Sequence, residues 1–454
     1  MDERARVTIS AVLVVAGVVL AILAGVTAQS SSAVQANGTV IDFGEYDTTW
    51  TEADVSEYST VLEILEFACS ENGYDLVLDG SGAVTSINGV GSGGTWTLYA
   101  VTSGSTGWTE VSYPYTQSPS DYTITSWTYS EDGEDRQPTV AVDYSGNSVY
   151  GYVQKYRVVS LSPTITEILC SVKASSIIVG VDSYSDYPES VVAGKSDGSI
   201  AVVGSYTSPS LELILGTNAD LVVCDGSQTS HVQLADTLRG LGIDVIVTYP
   251  GEDTDQVLDN IYMIGVAIGY DLAAESVIEN TQYVLETLSS IISSSGTGTV
   301  DTMVALEPDI SPWVSGSGTY MDSVVVTMDG ENVFSEWYGW VHITSDRIPY
   351  ANPQVIIIIT TEYSATQEEY DYLYNNLSAQ WKLTDAWKNG NVYVICESAA
   401  EMVQRCGPRL AQTAELVAMI LHPECFETQL PKIVGDDYAD YLTYSKDMSY
   451  SSRG

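Results

Sequence analysis

Short runs of aliphatic and β-branched residues alternate with helical patterns over much of the chain. The first two such runs, Val158–Leu161 and Ile177–Val181, are separated by a segment that predicts a short helix. Continuous apolar runs are typical of parallel strands that are buried on both faces of a sheet. Two of them joined by a helix predict a βαβ unit.

Capping residues mark the start of this helix. Ser162 is a favourable N-cap, and Pro163 falls at the first helical position, where its missing N–H costs nothing. Thr164 and Glu167 also fit the spacing of a T-x-x-E capping box. We therefore predict that the helix begins directly after the first strand.

The same alternation of strands and helices continues far along the chain. Residues 157–250 predict a first parallel α/β lobe, and residues 299–425 predict a second. Between them, residues 251–298 keep a helical period, and the half that starts near residue 271 would span roughly 35 Å. The predicted fold class is α/β, with two lobes joined by a long helix.

Residues 39–150 have a different pattern, in which a helix over Ser59–Asn72 is followed by short strands. Turns rich in Gly, Ser and Asn separate strands such as Tyr74–Leu78 and Thr95–Val101. This order predicts a small α+β domain, rich in β-strand, in front of the two lobes.

Both ends of the chain are predicted to lie outside these domains. Val7–Ala28 is an uninterrupted, largely apolar run that nearly matches a membrane span of roughly 20 residues. Residues 1–28 are therefore predicted to be a cleaved signal peptide or a retained anchor, and either places the remainder outside the cytoplasm. Residues 29–38 predict a linker, and residues 426–454 predict an exposed tail.

The chain is strongly acidic, with 60 acidic and 16 basic residues and a net charge of −44. Neutralising phosphates needs Lys and Arg, so this balance excludes nucleic acid as a partner. A solvated acidic surface on an exported protein accounts for it. The six cysteines form no C-x-x-C pair, which gives no zinc or redox signature. Export permits disulfides, and Cys396, Cys406 and Cys425 are close enough in sequence for one bridge, whose pairing the sequence leaves open.

No catalytic motif is convincing. His231, His342 and His422 lack metal-ligand spacing, and Gly316–Gly318 lacks the strand–turn–helix setting of a nucleophile elbow. Carboxylates are so abundant that pairs of them carry no weight. We therefore predict a protein without metal, catalytic cofactor or enzymatic activity.

Aromatic residues are concentrated in loops that follow predicted strands. Ligands of open α/β sheets bind beyond the carboxyl ends of the strands, and large planar ligands fit pockets with aromatic walls. The predicted ligand-binding residues in these loops are Tyr184, Tyr187, Tyr206, Asp225, Gly226, Trp313 and Trp340. Ordinary packing is the competing interpretation for each, and their concentration on one predicted edge favours a ligand cleft.

Three stretches resemble a known family. They are Arg157–Glu167 (R-V-V-S-L-S-P-T-I-T-E), Val179–Pro188 (V-G-V-D-S-Y-S-D-Y-P) and Thr384–Tyr393 (T-D-A-W-K-N-G-N-V-Y). They are similar to the solute-binding proteins of ABC importers for vitamin B12, ferric siderophores and haem. The resemblance covers about residues 157–425. It implies two Rossmann-like lobes joined by a rigid helix, a ligand bound without chemistry, and permease and ATPase subunits as partners.

The vitamin B12 branch of this family looks most similar, so the resemblance implies cobalamin or another corrinoid as the first ligand. Tyr206, Trp313 and Trp340 match positions where the family places ligand-facing aromatics. Asp225 stands where an aromatic would support the B12 interpretation. Arg405, with Arg409, would instead suit an anionic ferric siderophore or the propionates of haem, so both ligands remain alternatives.

Two acidic residues match a docking pattern of the family, in which each lobe presents one carboxylate to arginine pockets of the permease. Glu212 matches the first, and Asp346 matches the second, with Asp in place of the usual Glu. The competing interpretation is a carboxylate in the first turn of a helix, where the helix dipole favours it.

The N-terminal pattern also resembles a small β-rich domain, found in secreted microbial proteins and as the C-terminal domain of vertebrate cobalamin carriers. The turn S86-I-N-G89 and the strand Trp96–Tyr99 carry this likeness. It leaves open a function of a different class, a cell-surface interaction protein in which residues 39–150 act and the lobes are scaffold. A hydrolase is the more distant alternative.

Overall fold

The computed structural model describes residues 38–44, 47–53, 55–102, 108–131, 138, 141–146, 148–149 and 155–446. These residues form two compact units, the first holding most of residues 38–138 and the second most of residues 139–446. The signal peptide or anchor predicted over 1–28 and nearly all of the linker predicted over 29–38 lie outside the described residues. Within the described part, no helix is long and apolar enough to cross a membrane.

The first unit is rich in β-strand, as its sequence pattern predicts. Its elements are β1 (Gly38–Gly44), β2 (Asp47–Glu52), α1 (Val61–Asn72), β3 (Leu76–Leu78), β4 (Val84–Ile87), β5 (Gly94–Thr102), β6 (Thr109–Val111) and β7 (Tyr122–Glu131). The main sheet has the order β2-β1-β7-β5-β6, with β1 and β7 parallel. Helix α1 begins at the N-cap Thr60 and ends at Gly73, which has a φ of 70°. Its apolar face packs on Trp96 and Trp127.

The first part of the second unit contains a five-stranded parallel sheet, as expected for the first lobe, and two short antiparallel strand pairs. Its strands are β8 (Ala141–Val142), β9 (Ser148–Val149), β10 (Val158–Ser160), β11 (Ile178–Val181), β12 (Ala201–Val202), β13 (Gly204–Ser205), β14 (Ser208–Pro209), β15 (Leu221–Asp225) and β16 (Asp244–Thr248). The order β12-β11-β10-β15-β16 is parallel throughout. The strands β10 and β15 are fully buried, which explains why they are continuous apolar runs.

The helices of the first lobe are α2 (Pro163–Ser171), α3 (Glu189–Asp197), α4 (Leu211–Gly216) and α5 (Thr229–Gly240). Ser162 is the N-cap of α2, since its hydroxyl accepts a hydrogen bond from the Ile165 backbone N–H, and Pro163 occupies the first turn. Both predictions are confirmed. The capping box is wrong, because Glu167 is buried and its carboxylate binds two arginines instead.

The helical pattern predicted over residues 251–298 corresponds to α6 (Thr254–Ile268) and α7 (Asp271–Ser295). Asp253 caps α6, and Gly269 ends it with a φ of 73°, so the chain changes direction before α7 starts. Helix α7 has 25 residues, or about 37 Å at 1.5 Å per residue. The long connecting helix is therefore confirmed, as the second of two consecutive helices.

The second lobe is built on a mixed sheet with the order β20-β18-β17-β21-β22-β23, while β19 also pairs with β17. Its strands are β17 (Val300–Leu306), β18 (Trp313–Ser315), β19 (Gly330–Asn332), β20 (Trp340–His342), β21 (Val355–Ile359), β22 (Val392–Ile395) and β23 (Ile433–Val434). Its helices are α8 (Tyr320–Thr327), α9 (Arg347–Ala351), α10 (Gln367–Asn376), α11 (Asp385–Lys388), α12 (Glu397–Gln404), α13 (Leu410–Leu421) and α14 (Tyr438–Tyr441). Strands β18 and β20 are antiparallel, and β21 and β22 form the buried centre.

The exposed tail predicted over residues 426–454 is corrected for residues 426–446. Strand β23 pairs in parallel with β22 and extends the second sheet. The Glu415 carboxylate on α13 holds the following segment by accepting hydrogen bonds from the backbone N–H groups of Thr443, Tyr444 and Ser445. The sequence pattern missed this because β23 is only two residues long. Residues 447–454 lie outside the described part.

All six cysteines are free thiols. Cys170, Cys224 and Cys396 are buried in apolar surroundings, and burial raises the pKa of the Cys396 thiol to about 12. The disulfide left open among Cys396, Cys406 and Cys425 does not form. The predicted boundaries at 157–250, 251–298 and 299–425 stay predictions, because both lobes belong to the one second unit.

Candidate functional site

A cavity of about 130 Å³ lies between the first lobe and the segment that follows α12 in the second lobe. The carboxyl ends of β15 and β16 open into it, as expected for a ligand site on a parallel sheet. It is lined by Thr164, Ile165, Ile168, Tyr206, Asp225, Ser227, Thr248, Tyr249, Pro250, Asn260, Gln404 and Cys406. Of the predicted ligand-binding residues, it brings together Tyr206 and Asp225.

The Asp225 carboxylate is the centre of a polar network on the first-lobe wall of this cavity. Its Oδ1 accepts hydrogen bonds from the backbone N–H and the hydroxyl of Ser227, at 2.9 and 2.6 Å. The Tyr206 hydroxyl lies 2.9 Å from Oγ of Ser227 and 3.3 Å from Oδ2 of Asp225. The Gln228 side-chain amide donates to the same hydroxyl. Each of these donors is therefore used within the network that ends on the carboxylate.

His231 holds the backbone of this network, although no motif in the sequence indicated that role. The side chain is buried, and its Nδ1 accepts a hydrogen bond from the Asp225 backbone N–H at 3.1 Å. Its Nε2 lies 2.6 Å from the Tyr206 carbonyl oxygen and so must carry the proton that it donates there. Burial lowers the pKa of His231, in keeping with this neutral form. One imidazole thus fixes the backbone positions of both Tyr206 and Asp225.

Gly226 and Gly251 permit close approaches around the cavity. A Cβ atom at Gly226 would collide with the Thr248 carbonyl oxygen and the Tyr144 ring, so any side chain there would separate β15 from β16. Gly251 has a φ of 75°, and its Cβ would lie 2.7 Å from Cβ of Cys406 in the second lobe. Gly226 therefore acts through backbone packing beside the cavity.

The loop after β11 holds the other two predicted tyrosines in different settings. Tyr184 is 61% exposed. Tyr187 is half-buried, with the Arg409 guanidinium 4.4 Å from its ring centre, and burial raises the pKa of its hydroxyl to about 12. One face of the Tyr187 ring is thus covered by a cation, and Tyr184 is the freer of the two.

Glu167 of the first lobe binds two arginines of the second lobe. Its carboxylate accepts two hydrogen bonds from Arg409, from Nε at 2.8 Å and from Nη2 at 2.7 Å. It also accepts one from Nη1 of Arg405 at 2.9 Å. Arg405 in turn lies 2.7 Å from Asp186 and 3.6 Å from Glu401. Arg405, predicted to bind an anionic ligand, is therefore already surrounded by carboxylates.

The predicted tryptophans of the second lobe share one face of the β18–β20 ladder. Trp313 pairs with His342, and Ser315 pairs with Trp340. Directly paired residues and residues two apart point to the same side of a sheet, so both tryptophans and His342 form one surface. Trp313 is 50% exposed, and its ring centre lies 5.5 Å from that of His342. Val314, on the opposite face, is fully buried in the lobe core.

Two further tyrosines, Tyr249 and Tyr338, belong to this region. Tyr249 lines the cavity directly after β16, so the same carboxyl-end rule would have found it. Tyr338 is 70% exposed, and its hydroxyl donates to Oε1 of Glu252 at 2.8 Å, which joins the second lobe to the loop after β16. That hydrogen bond raises the pKa of Tyr338. Its partner is distant in sequence, so no local pattern predicts the contact.

Both predicted docking carboxylates are exposed on short helices. Glu212 lies in the first turn of α4, next to the 51% exposed Leu213. Asp346 precedes α9, and a hydrogen bond from Thr344 lowers the pKa of its carboxyl. Exposure fits both the docking role and the helix-dipole interpretation, so docking stays a prediction.

The chemistry that this arrangement offers is binding. Among residues that the structure describes, no group of three or more His, Cys, Asp and Glu side chains could hold a metal ion. The cavity has a polar floor on the first lobe, and the second lobe presents an aromatic surface at β18 and β20. Such a combination suits a ligand with a large ring surface and polar substituents.

Two lobes built on parallel strands, joined by a long helix and enclosing a cavity at strand carboxyl ends, define a two-lobe binding protein. Residues 158–399 match the family described as periplasmic binding protein. This range is more than half of the chain, and the chain therefore belongs to that family. The family resemblance and the α/β two-lobe fold class are both confirmed.

Named relatives come from several bacteria. The chain is 25% identical, over 64% of its length and 87% of the relative, to the uncharacterised ABC transporter substrate-binding lipoprotein YvrC of Bacillus subtilis. It is 28% identical, over 50% of its length and 74% of the relative, to a vitamin B12-binding protein of Yersinia pseudotuberculosis. A periplasmic haem-binding protein of Pseudomonas aeruginosa shares the fold, with a TM-score of 0.51, 18% identity and coverage of 59% of this chain and 93% of that one.

Proposed function

We propose that this protein is the extracytoplasmic substrate-binding component of an ABC importer and delivers its ligand to permease and ATPase subunits. Family membership supports the binding role, and the likeness to the Bacillus subtilis lipoprotein supports the link to an ABC transporter. The observation that carries the proposal is the cavity at the carboxyl ends of β15 and β16, closed from the other side by the second lobe. A tether through residues 1–28 belongs to the same proposal.

The ligand we favour is a large metal chelate, with cobalamin or another corrinoid first. The likeness to a vitamin B12-binding protein supports this choice, as do Trp313 and Trp340 on one face of the β18–β20 ladder. Haem or a ferric siderophore is the alternative, and a shared fold with a haem-binding protein keeps it open.

The size of the cavity sets where such a ligand would lie. Pockets for drug-sized ligands hold roughly 300–1,000 Å³, whereas this cavity holds about 130 Å³. A corrinoid or haem ring would therefore rest across the mouth of the cavity. One polar substituent would then enter and reach Asp225, while Tyr184, Trp313 and Trp340 contact the ring.

A titration tests the proposal directly. The full chain is titrated separately with cyanocobalamin, haemin and a ferric siderophore, and tryptophan fluorescence is followed. We expect micromolar or tighter binding of at least one of them. Absorbance spectra of the purified complex then identify which chelate is held. If none of the three binds, the proposal is wrong.

Removing the aromatic surface provides a second test. Trp313→Ala with Trp340→Ala should weaken binding of that chelate at least about tenfold, which corresponds to about 1.4 kcal/mol, because a flat ring loses its contact face. Tyr283→Ala is the matched control, since Tyr283 is a 70% exposed aromatic on α7. Equal affinities for the double variant and the control would remove these tryptophans from the site.

Docking on the permease is proposed to involve Glu212 and Asp346, one carboxylate from each lobe. Replacing both by Ala should reduce transport in cells while leaving ligand affinity in solution unchanged, because neither residue lines the cavity. A loss of affinity would contradict a docking role.

A further inference from the structure

The positive charges nearest the cavity are already neutralised by the protein itself. Arg409 uses Nε and Nη2 on Glu167, has Nη1 3.4 Å from the Tyr438 hydroxyl, and covers the Tyr187 ring. Its side chain is only 3% exposed. Three of its five N–H donors are thus used, and the nearly complete burial keeps this guanidinium from being presented to a ligand carboxylate.

Arg405 is also paired with carboxylates of the protein. Around the two arginines, the carboxylates are in excess. Its guanidinium lies within 3.6 Å of Glu167, Asp186 and Glu401. Three carboxylates therefore surround two guanidiniums, and Asp186 and Glu401 are each 44% exposed. Burial, and then the neighbouring Asp186, raises the pKa of Glu401, as expected where acids outnumber bases.

The cavity wall continues this acidic character. Asp225 is a lining residue, and no Lys or Arg is among the side chains that line this cavity. The donors of Ser227 and Tyr206 point at the Asp225 carboxylate, and Gln228 donates to Tyr206. The Asp225 carboxylate keeps acceptor capacity for a ligand group, which fits N–H or O–H donors and repels anions.

Two other cations lie near these loops, and each already contacts other groups of the protein. Lys195 donates to the carbonyl oxygens of Ser183 and Ser185, beneath the Tyr184 loop. Arg347 lies 5.5 Å from the Trp337 ring centre and helps to lower the pKa of the adjacent Asp346. Because Arg347 is exposed, it is the cation that an anionic ligand can reach. An Arg347→Gln variant is therefore compared with the parent protein.

We propose that this cleft selects uncharged or cationic chelates that carry hydrogen-bond donors, such as amide groups, and discriminates against polyanionic chelates. The inference rests on the proposed function and narrows its ligand class. Repulsion between like charges depends on the charge of the chelate and not on its shape, so it separates chelates of similar size. Amide-bearing corrinoids and ferric hydroxamates fall in the accepted class, and ferric catecholates and haem, with its propionates, fall in the rejected class.

The test uses ferric chelates that differ in charge. Full-length protein is titrated with an uncharged ferric trihydroxamate, a cationic ferric trihydroxamate, a trianionic ferric tricatecholate and cyanocobalamin. We expect the tricatecholate to bind at least tenfold more weakly than the best of the other three. Affinity for the cationic probe should fall as NaCl is raised, because salt screens its attraction.

Substitutions of individual carboxylates test which of them cause the discrimination by charge. Asp186→Asn with Glu401→Gln leaves Arg405 with fewer carboxylates and should improve tricatecholate binding several-fold, without weakening cyanocobalamin. Asp225→Asn should reduce the preference for the cationic probe. Glu279→Gln with Glu286→Gln is the charge-matched control, since both are exposed on α7 away from the cavity lining. This control should leave all affinities unchanged.

The two proposals fail in different ways. If the tricatecholate binds as tightly as the uncharged chelates, the charge inference is wrong and the importer function stands. The same holds if tricatecholate binds tightly and Arg347→Gln abolishes that binding. If no probe of any charge binds, the proposed function is wrong and the inference fails with it.

Discussion

At the scale of single residues, Glu167 of the first lobe connects to the second lobe through one buried carboxylate. Its carboxylate is 2% exposed and receives hydrogen bonds from both Arg405 and Arg409 of the second lobe. A buried ion pair of this kind gives little net stability compared with an apolar contact, whereas removing one partner leaves uncompensated charge. Glu167 therefore fixes the relative position of these segments more than it adds to the free energy of unfolding.

Glu167→Gln should lower the free energy of unfolding by about 3–5 kcal/mol, because two buried guanidiniums would then face a neutral amide. Urea denaturation measures the change. Lys388→Gln is the control, since the Lys388–Asp385 pair is exposed and such pairs contribute about 0–1 kcal/mol. A loss for Glu167→Gln no greater than that of the control would show that the lobes hold together without this cluster.

We expect the free energy of unfolding to depend on pH because of the buried His231. Burial lowers its pKa in the folded protein, while Tyr206, Asp225 and Asp182 act in the opposite direction. The unfolded chain therefore binds this proton at a higher pH than the folded chain, so acid favours unfolding. The contribution is fully present above about pH 6.5 and is lost as pH falls through the folded pKa.

The experiment measures the free energy of unfolding for His231→Gln and for the parent protein. The pH is varied from about 8 to about 5, the range in which histidine titrates. The difference between them should shrink as the pH falls. His342→Gln, at an exposed histidine, is the control and should run parallel to the parent. A constant difference for His231→Gln would contradict a neutral buried imidazole.

At the scale of elements, the C-terminal segment is an integral part of the second lobe. Strand β23 pairs with β22, and Tyr438 and Leu442 are buried. The fully buried Glu415 carboxylate also accepts a hydrogen bond from the Ser445 hydroxyl at 2.7 Å. Charge-assisted hydrogen bonds to several backbone donors explain how a segment with little regular structure is held in place.

Glu415→Gln should weaken this attachment, because an amide has one acceptor oxygen and brings donors that face other donors. We expect a loss of about 1.5–3 kcal/mol in the free energy of unfolding, and faster proteolytic trimming of residues 426–446. Glu427→Gln, at an exposed glutamate in the same segment, is the control. Unchanged trimming would show that β23 alone holds the segment.

At the scale of the whole molecule, the net charge of −44 bears on stability and on the charge of the cleft. Acidic surfaces repel themselves, which keeps the protein soluble and works against the folded state. The same excess of acid reaches the cleft, where Asp186, Glu401 and Asp225 outnumber the available cations. The acidic composition is thus found both at the surface and beside the cleft, and the fold decides which acids meet there.

Raising NaCl from about 0.01 M to about 1 M should increase the free energy of unfolding, since the screening length falls from about 30 Å to about 3 Å. Urea denaturation at each salt concentration measures this. Repeating the series with Na2SO4 at matched ionic strength separates screening from salt effects on apolar burial. A decrease with NaCl would mean that attractive ion pairs such as Lys155–Asp244 outweigh the repulsion.

The local sequence determined much of the fold. Apolar runs predicted β10 and β11, and Ser162 with Pro163 predicted the start of α2, since strand burial and helix capping depend on neighbours in the chain. The carboxyl-end rule placed Tyr206 and Asp225 at one cavity. These features depend on short-range physics, which a single sequence contains.

Tertiary structure alone decided the partners of charged and polar groups. Glu167 matches a helix cap by spacing, yet it binds arginines some 240 positions away. Arg405 resembles a ligand anchor and is enclosed by acids, and His231 carries no motif and fixes two site residues. Hydrogen bonds and ion pairs depend on distances of a few ångströms between segments remote in sequence. Local patterns therefore cannot determine them, and the charge of the cleft follows from the fold.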